Sequence, residues 1–171
     1  MRGMRYYYAI PIFLLAFILQ TTVMWRLPIL GYSPNLLLCM VIVFSFIYDV
    51  RYGLVLGVVF GLVLDIFTSQ YLSINAISFV VVFLIVRLFR GIFNHESFIL
   101  DMAMAIIATP VHVMIVWSIN RIMGVPVDVI FALRSILPLI VTNFFLVGIL
   151  HFIFVRTVIK FKQDMKFTGE L

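Results

Sequence analysis

Long apolar runs separated by short polar breaks make up most of the chain. The pattern predicts a single membrane domain of six transmembrane helices, with approximate bounds 6–25, 34–48, 52–67, 72–88, 98–120 and 135–158. An α-helix needs about 20 apolar residues to cross a bilayer, and the second run is the shortest. We therefore expect part of residues 27–32 to lie at membrane depth, or the bilayer to thin locally.

Composition supports this prediction and limits the possible functions. Of 171 residues, 65% are hydrophobic and 11% are charged, and the mean hydropathy is +1.24, far from the range of a soluble domain. The polar breaks are too short to hold a soluble catalytic domain or a large extramembrane binding module. Cys39 is the sole cysteine, which excludes an internal disulfide and a cysteine-based metal cluster, and we expect it to be a small core residue.

The basic residues are divided unequally between the two ends of the predicted bundle. The end that holds both termini carries Arg2, Arg5, Arg51, Arg87, Arg90, Arg156, Lys160, Lys162 and Lys166; the opposite end carries Arg26, Arg121 and Arg134. Short loops rich in Lys and Arg stay in the cytoplasm. The pattern predicts a multi-pass protein with both termini cytoplasmic, and a C-terminal tail suited to anionic lipid rather than to nucleic acid.

A ridge of small residues marks the third run. Gly53, Gly57, Gly61 and Asp65 recur at every fourth position, so on a helix they form one slanted line without bulky side chains. Such a ridge allows another helix to approach closely in lipid. That helix is either a partner protein's or this chain's own fourth or sixth helix. Asp65 is either paired, with a possible functional role, or solvated at the helix end.

Other polar residues interrupt the apolar runs. Asn75 near the start of the fourth run is either a helix cap or a polar contact. Asp101 near the start of the fifth suits the positive end of the helix dipole. Asp128 can cap a helical segment that begins directly after it and leads into the sixth run. His112 lies near mid-membrane, where it is either a hydrogen-bonded structural histidine or a proton-handling group, and Asn143 lies at a similar depth in the sixth run.

Motifs of enzyme chemistry are missing from the sequence. It contains no glycine-rich phosphate loop, no paired metal-ligand spacing and no nucleophile elbow. We therefore expect no enzyme activity, no metal and no cofactor. A transporter is harder to exclude, although few polar residues lie at depth and no inverted repeat is evident.

Three motifs in order indicate a family. The segment Pro34-Asn35-Leu-Leu-Leu, the ridge from Gly53 to Asp65, and Leu72-x2-Asn75-Ala76 together resemble the bacterial rod shape-determining protein MreD family. The resemblance covers nearly the whole chain and is sharpest over residues 34–90. The loop before Asn75 departs from it, because residues 70–74 lack the glycine expected there, which puts that turn's geometry in question.

The resemblance implies a function. Members of this family work with the bitopic protein MreC, in an elongation machinery that includes the actin-like MreB and cell-wall synthases. The resemblance thus implies a noncatalytic scaffold in the bacterial inner membrane that supports lateral peptidoglycan synthesis and rod shape. It also implies an all-α fold similar to the substrate-binding subunits of energy-coupling-factor transporters. The alternative function is therefore a small-molecule (vitamin) binding subunit of a transporter.

Overall fold

A computed structural model describes residues 9–26, 28–47, 50–68, 73–92 and 98–168, with side chains for 10–26, 28–45, 53–68, 73–89 and 98–154. These residues form six α-helices and one π-helical turn, and no strand is present among them. The helices are α1 (Ala9–Leu19, continued by the π-helical turn Gln20–Met24), α2 (Leu36–Ile47), α3 (Val50–Thr68), α4 (Ile74–Ile92), α5 (Phe98–Ile122) and α6 (Val129–Thr168).

The short helix α2 lies at the centre of the bundle. It contacts each of the other five α-helices, and every residue from Leu36 to Ser45 is at most 6% exposed. A helix that is apolar on all sides is typical of a protein core or of a membrane span, and α2 is covered by protein on all sides. Aromatic rings from α1, α3 and α4 pack into the same core, among them Phe13, Phe60 and Phe79.

Two helices are long and apolar enough to span a bilayer on their own, Phe98–Ile122 and Val129–Phe154, with mean hydropathies of 2.0 and 2.3. Four shorter apolar helices accompany them. The all-helical architecture and the apolar helices agree with a membrane protein, while the full six-span topology stays a prediction.

The last helix begins where its expected cap places it. The transmembrane span was expected from residue 135, preceded by a helical segment that Asp128 caps, and α6 does begin at Val129. Asp128 explains this start, because its Oδ1 accepts a hydrogen bond of 2.9 Å from the backbone N–H of Ile130, as an N-cap does.

The helices alternate in direction, so α2, α4 and α6 begin at one end of the bundle, called here the upper end. At this end a tight loop leads from α1 to α2, with Leu30 and Gly31 at positive φ of 55° and 83°. Ile29 and Tyr32 bracket the turn through two backbone hydrogen bonds. Because α2 is only 12 residues long, about 18 Å, its first turn lies inside the bundle rather than at its surface.

Candidate functional site

The glycine ridge of α3 lies against α4. A Cβ added at Gly61 would come within 2.5 Å of the Cα of Ala76, and one at Gly53 would overlap the ring of Phe83. At Gly57 the same atom would lie 3.9 Å from the Cβ of Phe79, an ordinary contact. Of the alternative occupants of the ridge, α4 is therefore the helix that lies on it, and the closest backbone approach is at Gly61.

Asp65 ends the ridge and holds the start of α4. Its side chain is 1% exposed, and its carboxylate accepts hydrogen bonds from the backbone N–H of Asn75 at 3.0 Å, from that residue's Nδ2 at 2.7 Å and from the backbone N–H of Ala76 at 3.3 Å. The first N–H groups of a helix have no partner within the helix. Asp65 thus caps α4 from the neighbouring helix.

This geometry decides two alternatives that the sequence left open. Asp65 is paired and buried, so the solvated alternative is wrong. Asn75 is a polar contact and not the cap, because it occupies the second position of α4 and donates to Asp65. Ser73 precedes the helix with a φ of 79°, an uncommon conformation for a residue other than glycine.

A second set of polar groups, buried or partly buried, surrounds the start of α2. Asn35 is the N-cap, since its Oδ1 accepts the backbone N–H of Leu38 at 2.9 Å. The backbone N–H of Leu36 donates to Oε1 of Gln20 at 2.6 Å, and that of Asn35 donates to Oδ1 of Asn143 at 3.2 Å. Gln20 also donates through Nε2 to the carbonyl oxygen of Pro34. Side chains from α6 and the π-helical turn thus complete the buried end of α2.

His112 connects this helix start to α4. Because Oδ1 of Asn35 already accepts from Leu38, the Nδ2 of Asn35 is the group that faces Nε2 of His112, at 3.1 Å. Nε2 is then an acceptor, so the assigned tautomer is a neutral imidazole with its proton on Nδ1. That proton points to Oγ of Ser78, 2.6 Å away. His112 is 9% exposed and stacks on Phe79 with ring centroids 5.7 Å apart, an arrangement that suits the structural alternative for this histidine.

Asn143 joins three helices. Besides accepting from Asn35 on the α2 side, it donates through Nδ2 to Oγ1 of Thr109 in α5, at 3.1 Å. Its backbone carbonyl oxygen lies 3.7 Å from Sγ of Cys39, a thiol that is fully buried in the core. The polar cluster of the upper end, hereafter the upper polar cluster, comprises Gln20, Asn35, Ser78, Thr109, His112 and Asn143.

Sequence reasoning identified His112, Asn143 and the Pro34-Asn35 start but missed the rest of this cluster. Gln20, Ser78 and Thr109 are polar residues within apolar runs, and that interruption is the signal that would have found them. Their pairing was not accessible, because Asn35 and Asn143 are 108 positions apart.

A cavity of about 270 Å³ adjoins the upper polar cluster. Asn35, Thr109, His112 and Asn143 form one side of it, and apolar side chains of α5 and α6, including Val113 and Leu139, form much of the rest. Phe131, 60% exposed, lies at its margin, so the cavity reaches the protein surface there.

At the lower end, Asp101 and His151 form a further polar pair. Oδ2 of Asp101 contacts Nδ1 of His151, which joins α5 to α6. Asp101 does lie in the first turn of α5, as the dipole argument requires, but its partner was missed. Among the described residues no group of three His, Cys, Asp or Glu side chains is arranged to hold a metal ion. The basic residues of the tail, Arg156, Lys160, Lys162 and Lys166, have side chains outside the described set.

These features define a class: a helical membrane protein whose buried polar side chains cap and join its own helices. The chain belongs to the family of the rod shape-determining protein MreD, whose family model matches residues 1–161. The family predicted from the three motifs is thus confirmed, and membership implies a role in determining rod shape. No curated protein and no solved structure matches the chain.

Proposed function

We infer that this protein is a noncatalytic scaffold of the bacterial cell-elongation machinery, seated in the inner membrane with both termini in the cytoplasm. In this role it binds an MreC-like bitopic protein and supports lateral peptidoglycan synthesis and rod shape. Cell-wall synthases and MreB belong to the same complex, and the basic C-terminal tail contacts anionic lipid. The observation that carries the proposal is the family match over residues 1–161.

The packing of the buried polar groups supports a structural role. Asp65 caps α4. His112 and Asn143 join α2 to α4 and α5 through hydrogen bonds. In each case the hydrogen-bond partners named here belong to this chain's own helices. Residues held in this way support a bundle of defined shape, on whose outer surface a partner helix can pack.

The ridge residues Gly53, Gly57, Gly61 and Asp65 contribute to this role indirectly. Since α4 lies on the ridge, the ridge sets the shape of the α3–α4 pair instead of offering itself to a foreign helix. The partner then binds a surface that this pair helps to form.

The alternative, a vitamin-binding subunit of a transporter, rests on fold kinship. Fold kinship by itself does not transfer a function, and the family match favours the scaffold. The alternative predicts that a vitamin stabilises the purified protein, by about 2.7 kcal/mol when the vitamin is present at 100 times its Kd.

Co-purification with the MreC-like protein of the same organism tests the proposal. The full chain and its partner are co-expressed and purified in mild detergent. The wild-type chain and Val59→Leu, a matched change at an exposed apolar position of α3, should retain the partner. Gly61→Leu should lose it, because a larger side chain there drives α4 away from α3.

Each result has a defined meaning when the variants are also checked for folding by size-exclusion chromatography. Loss of the partner from a folded Gly61→Leu supports binding that depends on the α3–α4 pair. Retention by all three chains keeps the scaffold but separates binding from this pair. Absence of the partner from the wild type contradicts the proposal, and thermal stabilisation by a vitamin panel would then favour the transporter subunit.

A further inference from the structure

The cavity beside the upper polar cluster has the chemistry of a binding site for an uncharged molecule. Among the described residues, no Asp, Glu, Lys or Arg lines it. His112 is neutral in the tautomer that its partners require. A charged ligand would have to leave water without a compensating charge, which is costly.

The polar side of the cavity retains unused hydrogen-bonding capacity. The primary amides of Asn35 and Asn143 each have two N–H groups, and each uses one of them, toward His112 and Thr109 respectively. Both residues line the cavity. Among the described residues, no acceptor takes the second N–H of either amide, so one N–H of each is left for a ligand oxygen. Oδ1 of Asn143 keeps a second lone pair for a ligand N–H.

The remaining walls are mostly apolar. They also include Tyr32, Ser33, Asn120 and Ser135, of which Asn120 and Ser135 already donate to backbone carbonyl oxygens of their own helices. Val113, Val116, Leu139 and Ala132 line the cavity together with the Trp117 ring, whose Nε1 is already used in a hydrogen bond to the carbonyl oxygen of Val127. At about 270 Å³, the volume lies just under the ~300 Å³ at which small-molecule pockets usually begin. The space therefore fits a compact molecule or one end of a longer one.

We propose that this cavity binds an uncharged ligand that carries an amide or similar carbonyl group on an apolar chain, with the carbonyl oxygen toward Asn35 and Asn143. The ligand is either a small soluble molecule or the ester region of a neutral lipid. The proposal goes beyond the scaffold role and does not depend on it, because it concerns the isolated chain.

Tryptophan fluorescence gives a direct measurement. The chain has two tryptophans, and replacing Trp25, which is 66% exposed, by Phe leaves Trp117 in the cavity wall as the sole reporter. The purified full chain in detergent is titrated with ω-bromohexanamide, whose bromine quenches tryptophan on contact. We expect saturable quenching. Bromohexane, which lacks the carbonyl, and ω-bromohexanoate, which is charged, should bind at least about tenfold more weakly, a difference of roughly 1.4 kcal/mol.

Variants that fill the cavity provide the control. Ala132→Phe places a ring in the cavity from α6, and Val113→Phe does so from α5. Either should weaken binding of the bromoamide by at least about tenfold. Leu133→Phe, the neighbouring and 53% exposed position of α6, should leave it unchanged. If one filling variant does not fold, the other takes its place.

The outcomes are distinct from those of the co-purification test. Quenching that rises without saturation, or that is equal for amide and carboxylate, overturns the proposal, and so does quenching that neither filling variant reduces. With a saturable site established, displacement of the bromoamide by monoolein assigns the site to neutral lipid, and failure of monoolein to displace it assigns the site to a small soluble molecule. None of these readings requires the MreC-like partner.

Discussion

Single polar residues that are buried or partly buried hold several helix starts of this protein in place. A backbone N–H without a hydrogen-bond partner is energetically unfavourable in lipid, because no water is available there to accept its hydrogen bond. Asp65, Asn35 and Gln20 each satisfy such groups at helix starts that lie inside the bundle. The contribution of each residue to stability therefore depends on how deeply the helix start that it completes is buried.

Asp65 allows a direct test against a matched exposed cap. Asp65→Ala removes the carboxylate that accepts from the buried donors of Asn75 and Ala76, and we expect it to lower the free energy of unfolding by about 2–4 kcal/mol. Asp128→Ala removes a solvent-exposed cap and should cost about 0.5–1 kcal/mol. Equilibrium unfolding in mixed micelles, with increasing SDS, measures both. Equal losses would contradict the role assigned to burial.

Asn143 offers a second comparison, with Asn120 as its control. Asn143→Leu breaks the bonds to Asn35 and Thr109 on two other helices, so a loss of about 2–3 kcal/mol is expected. Asn120 donates to the carbonyl oxygen of Val116 in its own helix, and Asn120→Leu should change stability by less than about 0.5 kcal/mol. The same micelle titration applies. A larger effect at Asn120 would mean that the upper polar cluster does not join the helices.

At the scale of helices, the packing of α3 against α4 depends on three glycines that have different amounts of space around them. The regular spacing suggests that the three glycines are equivalent, but the space around them differs. Gly61 meets the backbone of Ala76, which cannot move without shifting α4, whereas Gly57 has room for a methyl group. A backbone contact of this kind sets the distance between helices, while a side-chain contact can adjust.

Alanine substitutions at Gly61 and Gly57 should change the free energy of unfolding in opposite directions. Gly61→Ala is expected to lower the free energy of unfolding by about 1–3 kcal/mol through overpacking. Gly57→Ala should raise it by up to about 1 kcal/mol, because alanine favours the helix over glycine. Unfolding midpoints in SDS-containing micelles measure the stability change of each variant. Destabilisation by both variants to the same extent would show that the whole ridge is in close contact.

For the whole molecule, the distribution of charge determines the expected orientation. The arrangement of the described helices puts the α5–α6 connection at the upper end, which the charge pattern assigns to the outside. On the same prediction the basic tail, at the lower end, lies in the cytoplasm. This orientation also places the opening of the cavity on the outer side.

Cysteine labelling in intact cells tests the orientation. Cys39, buried and free, is replaced by alanine, and single cysteines are introduced at Pro126, which is exposed in the α5–α6 connection, or at Lys166 in the tail. A membrane-impermeant maleimide should label Pro126→Cys in intact cells and Lys166→Cys only after permeabilisation. The reverse pattern would invert the topology, and labelling of both in intact cells would contradict a membrane-spanning α6.

The local sequence pattern alone was enough to predict the helices and the family of this protein. Apolar runs, breaks and caps locate the helices because the helical period and helix termination depend on neighbouring residues. The spacing of the ridge glycines, and the three ordered motifs that indicate the family, are likewise local features. The start of α6 at Val129 is of the same kind, because the Asp128 cap that sets it lies next to it in the sequence.

Only the tertiary structure decided which residues meet. That α4 covers the ridge, that Asp65 caps α4, and that Asp101 pairs with His151 depend on the rotation and depth of each helix against its neighbours. Adjacent helices in lipid choose their partners by close packing and a few hydrogen bonds, and these terms do not follow from the period of any single segment. The cavity beside Asn35 and Asn143 arises in the same way, from the packing of helices that are distant in the chain.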